Sequence, residues 1–219
     1  MFTGIIKSKG RITDLKKFKK ENVLKIEPIE PNENIFEDLK IGASVSVDGI
    51  CLTIREKEGK KAVFNVMEET VNLTNLKFAE ENAQENKELN LEPAMKVGDS
   101  LDGHIIQGHI DATGKVVSVK EEPNQTTIKF AHPKEFAKHL ALKGSITING
   151  VSLTIAYLDM DTFDVCLVKH TLENTNLSKL KEGDIVNLEF DAISKYLERL
   201  LEGREGQTKY AYLVERGFI

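Results

Sequence analysis

Reactive side chains are few in this chain. Its two cysteines and five histidines are Cys51, Cys166, His104, His109, His132, His139 and His170. His104 and His109 share the segment Gly103-His104-Ile105-Ile106-Gln107-Gly108-His109-Ile110. Their spacing of five residues puts them on opposite faces of a strand and out of register on a helix, unlike the i, i+4 pair of a zinc helix. No cysteine stands near them at ligand spacing, so no metal site is expected. Cys51 has the chemistry of a nucleophile, since a thiolate is intrinsically reactive, but no His or Lys adjacent in sequence activates it. The plainer reading of Cys51 is a small packing residue, and Cys166 within Phe163-Asp164-Val165-Cys166-Leu167 is read as packing outright. Lys143 and the Lys/Glu-rich stretch 77–88 read first as solvated surface. Phosphate loops, dinucleotide fingerprints and Ser-His-Asp elbows are absent.

The elements that must position these groups come in two copies. Residues 43–54, ASVSVDGICLTI, return as GSITINGVSLTI over 144–155, an offset of 101. The same offset carries Thr70 to Thr171 and Thr74-Asn75-Leu76 to Thr175-Asn176-Leu177. At an offset of 104, Gly4-Ile5-Ile6 and Gly10 fall on Gly108-His109-Ile110 and Gly114. A duplication on this scale decides the fold. Within each half, short β-branched runs such as Thr126-Thr127-Ile128-Lys129-Phe130 are bounded by turn residues, the pattern of small all-β barrels. Asp48-Gly49 and Asn149-Gly150 are hairpin turns between apolar strands.

A two-residue turn fixes register. Val47 then faces Ile50, Ser46 faces Cys51, Val45 faces Leu52 and Ser44 faces Thr53. Alternation sorts Ala43, Val45, Val47, Ile50, Leu52 and Ile54 to a core face. The opposite face carries Ser44, Ser46, Cys51 and Thr53, matched in the second half by Ser145, Thr147, Ser152 and Thr154. So charged a protein should show Lys and Glu on a solvated sheet. A face of small hydroxyl and thiol groups therefore expects a ligand or another subunit. After the second half, Ile193, Tyr196, Leu197, Leu200 and Leu201 form the apolar stripe of a helix, with Asp191 as N-cap and Gly203 as stop. That stripe must cover a barrel or meet copies of itself.

Bulk composition narrows the classes. Hydrophobic content of 40% with 30% charged residues suits a folded soluble chain rather than a disordered one. A net charge of −5, with no basic-aromatic stripes, argues against nucleic acid and anionic membranes as partners. No apolar run is long enough to span a bilayer, and the apolar start Met1-Phe2-Thr3-Gly4-Ile5-Ile6 is too short for a signal peptide. With two thiols and no disulfide framework, the chain reads as cytoplasmic.

Taken together, Met1 to Ile6, Ala43-Ser44-Val45, Gly49 to Thr53, Glu69-Thr70, Gly103-His104, Gly108 to Asp111, Gly150 to Thr154 and His170 to Thr175 resemble the α-chain type of riboflavin synthase, in order, from residue 1 to about 200. The resemblance implies two homologous six-stranded Greek-key-like β-barrels over 1–103 and 104–190, with a C-terminal helix and tail over 191–219. It implies dismutation of two 6,7-dimethyl-8-ribityllumazine molecules into riboflavin and 5-amino-6-ribitylaminouracil. One substrate is oxidised as the other is reduced, so no cofactor is expected. Implied partners are two further copies, forming a homotrimer through the helix, and association with lumazine synthase.

Carried over, the first pocket comprises Gly4, Ile5, Ile6, Cys51, Leu52, Thr53, Asn65, Val66, Met67, Glu68, Glu69 and Thr70. The second comprises Gly108, His109, Ile110, Ser152, Leu153, Thr154, Val168, Lys169, His170, Thr171, Leu172 and Glu173, with Lys143 reaching it across a chain boundary. Ser44, Cys51 and His109 match the family positions closest to turnover. A base for the acidic C7 methyl and a nucleophile for C7 of the partner are needed, and Cys51 and His109 are the candidates. Because this grouping separates thiol from imidazole, the working site is expected to join the Cys51 pocket of one chain to the His109 pocket of the next. The chain departs from the family in lacking, after the first repeat, the turn kept as Leu180-Lys181-Glu182-Gly183-Asp184, and in carrying Asp102 where many members have Gly. A non-catalytic lumazine- or flavin-binding antenna protein is the competing reading.

Overall fold

A computed structural model describes residues 1–18, 21–30, 35–81 and 88–201. The first half contributes β1 (Ser8–Phe18), β2 (Glu21–Pro28), β3 (Ser44–Val47), β4 (Ile50–Glu58), β5 (Lys61–Val66) and β6 (Glu88–Pro93). Between β5 and β6 run the short helices α1 (Glu68–Leu73) and α2 (Leu76–Glu81). The second half contributes β7 (Ala112–Glu122), β8 (Gln125–Ala131), β9 (Ser145–Ile148), β10 (Val151–Leu158), β11 (Thr162–Leu167) and β12 (Ile185–Phe190), with α3 (Lys169–Asn174). The strands close into two barrels, β1-β2-β5-β4-β3-β6 and its counterpart β7-β8-β11-β10-β9-β12. All pairings are antiparallel, and the all-β tandem architecture expected from the repeats is what forms.

The hairpin register is the one the turns dictate: Ser44 pairs with Thr53, Val45 with Leu52, Ser46 with Cys51 and Val47 with Ile50. Asp48 and Asn149 take the left-handed conformation at φ 47° and 46°, each followed by a glycine at positive φ, as this tight turn requires. The core face is buried, from Val45 at 0% exposed to Leu52 at 5%. Even the irregularities repeat. Register shifts at Ile12/Asp14 and Ile54/Glu56 recur at Val116/Ser118 and Ile155/Tyr157.

The two barrels meet across a pseudo-two-fold axis. Gly49 and Gly150 abut there so closely that a Cβ on Gly150 would lie 2.7 Å from the Gly49 nitrogen. Around them six buried residues form a reciprocal network. The Asn75 N–H donates to Asn187 Oδ1, the Asn176 N–H to Asn90 Oδ1, the Asn90 N–H to Asp48 Oδ1 and the Asn187 N–H to Asn149 Oδ1. Buried amides must find partners, and here each repeat satisfies the other. This contact corrects one expectation. Ser46 and Thr147, each 1% exposed, are covered within the same chain, Ser46 beside Gly150 of the sister barrel and Thr147 under His104, rather than by a ligand or another subunit.

Residues 192–201 form α4. Asp191 caps it, its carboxylate accepting from the Ile193 N–H at 2.9 Å; Gly203 lies outside the described residues. The polar side of α4 docks on its own barrel: Lys195 pairs with Asp111, and Glu198 with Lys138 and His139. The apolar stripe points away, with Ile193, Tyr196, Leu197, Leu200 and Leu201 all more than half exposed.

Candidate functional site

The segments preceding the two barrels are exchanged. Phe2 and Ile106 pair backbone to backbone across the pseudo-axis, at 2.8 and 3.1 Å. Beyond that bridge each strap runs along the other barrel. The Cys51 N–H donates to the Gly108 carbonyl at 2.9 Å, and the Ser152 N–H to the Gly4 carbonyl at 3.0 Å. Ile110 packs on the first core and Ile6 on the second. Glycine is required at both crossings: a Cβ on Gly108 would sit 2.5 Å from the Cys51 Cβ, and one on Gly4 2.5 Å from the Ser152 Cβ.

The crossings set each strap against the barrel opposite to the one that the grouping expected from sequence assigns it. Gly108, His109 and Ile110 complete the first barrel's face, and Gly4, Ile5 and Ile6 complete the second's. The residue preceding His109 is thus hydrogen-bonded to Cys51 of the same chain, whereas the grouping expected from sequence sets the two apart. The first face is the outer side of β4 and β5, where Cys51, Thr53 and Asn65 lie beside Met67, Glu68, Glu69 and Thr70 at the start of α1. Ser44 sits opposite Thr53 on that side. Leu52 and Val66 alternate inward and are buried, lining the barrel core rather than the face.

The second face has the matching parts: Ser152, Thr154 and α3 with Lys169, His170, Thr171 and Glu173. Leu153 and Leu172 pack against the core. Both faces are open, with Met67 71% and Val168 58% exposed. A cleft of about 550 Å³ lined by Thr3, Lys7, Glu92 and Asp99 lies beside the root of the first strap and does not include Cys51 or His109.

Four features escaped the sequence reading. His104 bridges two hydroxyls of the second barrel, Nδ1 to Ser152 Oγ at 2.7 Å and Nε2 to Thr147 Oγ1 at 3.1 Å. Burial pulls its pKa below the usual histidine value, with Asp191 opposing. A neutral ring accepts from one hydroxyl and donates to the other. The second face therefore has an imidazole of its own, attached to the serine that stands where Cys51 stands in the first.

Cys166 is exposed, not packed, and contacts Thr127 Oγ1 at 3.7 Å. It occupies in β11 the place of Asn65 in β5. Lys143 holds φ 66° where the first repeat has Gly42 at φ 89°. A left-handed lysine costs about 1 kcal/mol or more. Finally, Glu92 and Glu189 are buried at 3% and 2% exposed, both on the non-core side of the last strand of a barrel.

Tandem barrels with an open, strap-completed face on each define a duplicated β-barrel protein. Comparison with known proteins gives the class its name. The lumazine binding domain matches the chain twice, over residues 3–94 and 107–191. The riboflavin synthase of Bacillus subtilis (strain 168) is 37% identical over 223 residues, spanning 100% of both chains. That of Actinobacillus pleuropneumoniae is 35% identical over 201 residues, covering 92% of this chain and 90% of its own. Among solved structures, LumP complexed with riboflavin superimposes with a TM-score of 0.78 at 26% identity, over 87% of this chain and 100% of the other. LumP complexed with 6,7-dimethyl-8-(1'-D-ribityl) lumazine gives a TM-score of 0.76 at 25% identity, over 87% of this chain and 99% of the other. The chain belongs to the riboflavin synthase family.

Proposed function

We propose that this chain catalyses the dismutation of two 6,7-dimethyl-8-ribityllumazine molecules to riboflavin and 5-amino-6-ribitylaminouracil. The observation that supports this reading is the crossing at Gly108, whose carbonyl accepts from the Cys51 N–H and whose next residue is His109. A binding module needs neither group, and the full-length relatives bear the name of the enzyme. The reaction removes a proton from the C7 methyl of one lumazine and adds a nucleophile at C7 of the other. Between them His109 and Cys51 supply the base and the nucleophile, while Ser44, Thr53 and Thr154 orient the rings. The four-carbon unit leaves one substrate as the other accepts it, so oxidation and reduction balance without a cofactor.

Each barrel binds one lumazine, and the donor and acceptor faces differ: Cys51 with His109 on the first, Ser152 with His104 and Lys143 on the second. The working site pairs a first face of one chain with a second face of its neighbour. Exposure of the α4 stripe supports a homotrimer built on that helix, and the openness of both faces supports closure by a neighbour. Two free cysteines suit the cytoplasm.

The test is absorbance. Purified full-length chain, dialysed against a chelator, should convert 6,7-dimethyl-8-ribityllumazine to riboflavin with no additive, consuming two lumazines per flavin. Tight binding without turnover would establish a binding module instead.

A further inference from the structure

Each strap hangs from a buried carboxylate. Glu92 Oε1 accepts from the Thr3 N–H and hydroxyl, both at 2.7 Å, and Oε2 accepts from the Gly4 N–H at 2.9 Å. Glu189 Oε1 accepts from the Gln107 N–H at 2.7 Å, and Oε2 from the N–H groups of Gly108 and His109 at 2.9 and 3.1 Å. Neither carboxylate has an ion-pair partner among the described residues. An ionised carboxylate held away from water is tolerated only if its oxygens are satisfied, and here converging N–H groups do so. Both oxygens must accept. A glutamine offers one acceptor and turns its NH2 group toward a backbone donor.

Connectivity makes the arrangement more than a structural tie. Glu92 belongs to β6 and Glu189 to β12, each in the same repeat as the strap it holds. Yet the strap's far side rests on the other barrel, Gly108 against Cys51 and Gly4 against Ser152. We infer that Glu92 and Glu189 are crossed positioning residues: Glu189, on the second barrel, sets the first ligand face, and Glu92, on the first barrel, sets the second. The inference builds on the reading of these faces as lumazine sites and assigns each face a control residue in the opposite barrel. It touches no substrate atom. Its role is to fix where the Gly108 carbonyl and His109 stand relative to Cys51.

The consequence is a crossed phenotype, readable without ligand. In wild-type protein Cys51 is half-buried with the seated strap against its N–H and Cβ, whereas Cys166 is exposed and serves as an internal reference. Peptide-resolved alkylation of full-length chains with iodoacetamide should show Cys51 reacting about tenfold faster in Glu189→Gln, because local opening sets the rate. In Glu92→Gln the Cys51 rate should change less than about twofold. In a Ser152→Cys background the order should reverse, the introduced thiol being uncovered by Glu92→Gln and not by Glu189→Gln. If Glu189→Gln does not fold, Glu92→Gln in that background carries the test alone: selective uncovering of the thiol at 152 supports the crossing. Equal acceleration of both thiols by one substitution, or acceleration of the thiol on the substituted residue's own barrel, overturns it. A wild-type chain that fails to turn over lumazine would sink the catalytic reading while leaving this alkylation contrast intact.

Discussion

The backbone N–H of Cys51 donates to the carbonyl oxygen of Gly108 at 2.9 Å, which sets the thiol next to the residue that carries the imidazole, His109. In the proposed reaction, this one hydrogen bond between halves of the chain determines which reactive groups meet the same substrate. It also gives the two faces different equipment, thiol with imidazole on one and hydroxyl with imidazole on the other. A reaction that treats two identical substrates unequally requires such a difference.

Lys143 should display a trade between stability and activity. Its left-handed φ of 66° is strained for any residue but glycine, and the first repeat has Gly42 there. Lys143→Gly should raise the stability of the fold by about 1 kcal/mol in urea melts, by relieving the strain. The same substitution should lower kcat/KM through loss of the ammonium at the second face. A variant both less stable and fully active would remove Lys143 from the site.

Glu189 should mark the pH profile of stability. Burial pushes its pKa up to about 6, against the acceptance of backbone N–H groups from Gln107 and Gly108. A raised carboxylate pKa means that the fold binds the proton more tightly than the unfolded chain does. Ionisation then costs stability, and the cost grows as pH rises from about 4.5 to about 6 and is constant above that window. Relative to Glu189→Gln, wild-type protein should gain about 1.5 kcal/mol between pH 7 and pH 4.5. The difference between the two proteins cancels His104, which titrates in both. A gap that stays constant, or closes on acidification, would contradict the assigned pKa.

Much of this architecture is legible in the residues. Asp48-Gly49 and Asn149-Gly150 fix two registers because a two-residue turn permits one pairing, and the α4 stripe is visible because helical period and burial coincide. The strap exchange is not legible. It rests on backbone hydrogen bonds between Cys51 and Gly108 and between Ser152 and Gly4, residues far apart in sequence whose side chains do not encode the contact. The carry-over from the family groups Gly4 with Cys51, whereas the Gly4 carbonyl accepts from the Ser152 N–H. One signal did exist: Asn90-Leu91-Glu92 returns as Asn187-Leu188-Glu189. Polar residues on both non-core positions of a barrel's last strand indicate a buried network rather than solvent. Cys166 misled for the opposite reason, since a cysteine between Val165 and Leu167 looks like packing until alternation turns it outward.

The α4 stripe should govern assembly. Leu197→Asp with Leu200→Asp places charge on residues that are 54% and 65% exposed in the single chain, so the barrels should stay folded. Burying each leucine in an assembly is worth roughly 1.5–3 kcal/mol, which the charges forfeit. Sedimentation should report a smaller species and turnover should fall. An unchanged oligomer would show that another surface holds the chains together.

Subunit mixing tests the central claim most directly. Cys51→Ala and His109→Ala damage the same face, whereas Cys51→Ala and Ser152→Ala damage different faces. Each single variant should be strongly impaired. After chain exchange demonstrated by mass, the Cys51→Ala and Ser152→Ala mixture should recover activity, because some interfaces join an intact first face to an intact second face. The Cys51→Ala and His109→Ala mixture should recover none, since no chain then offers both groups on one face. Recovery in the second mixture would mean that thiol and imidazole act from different chains, and would contradict the exchanged straps as the basis of the site.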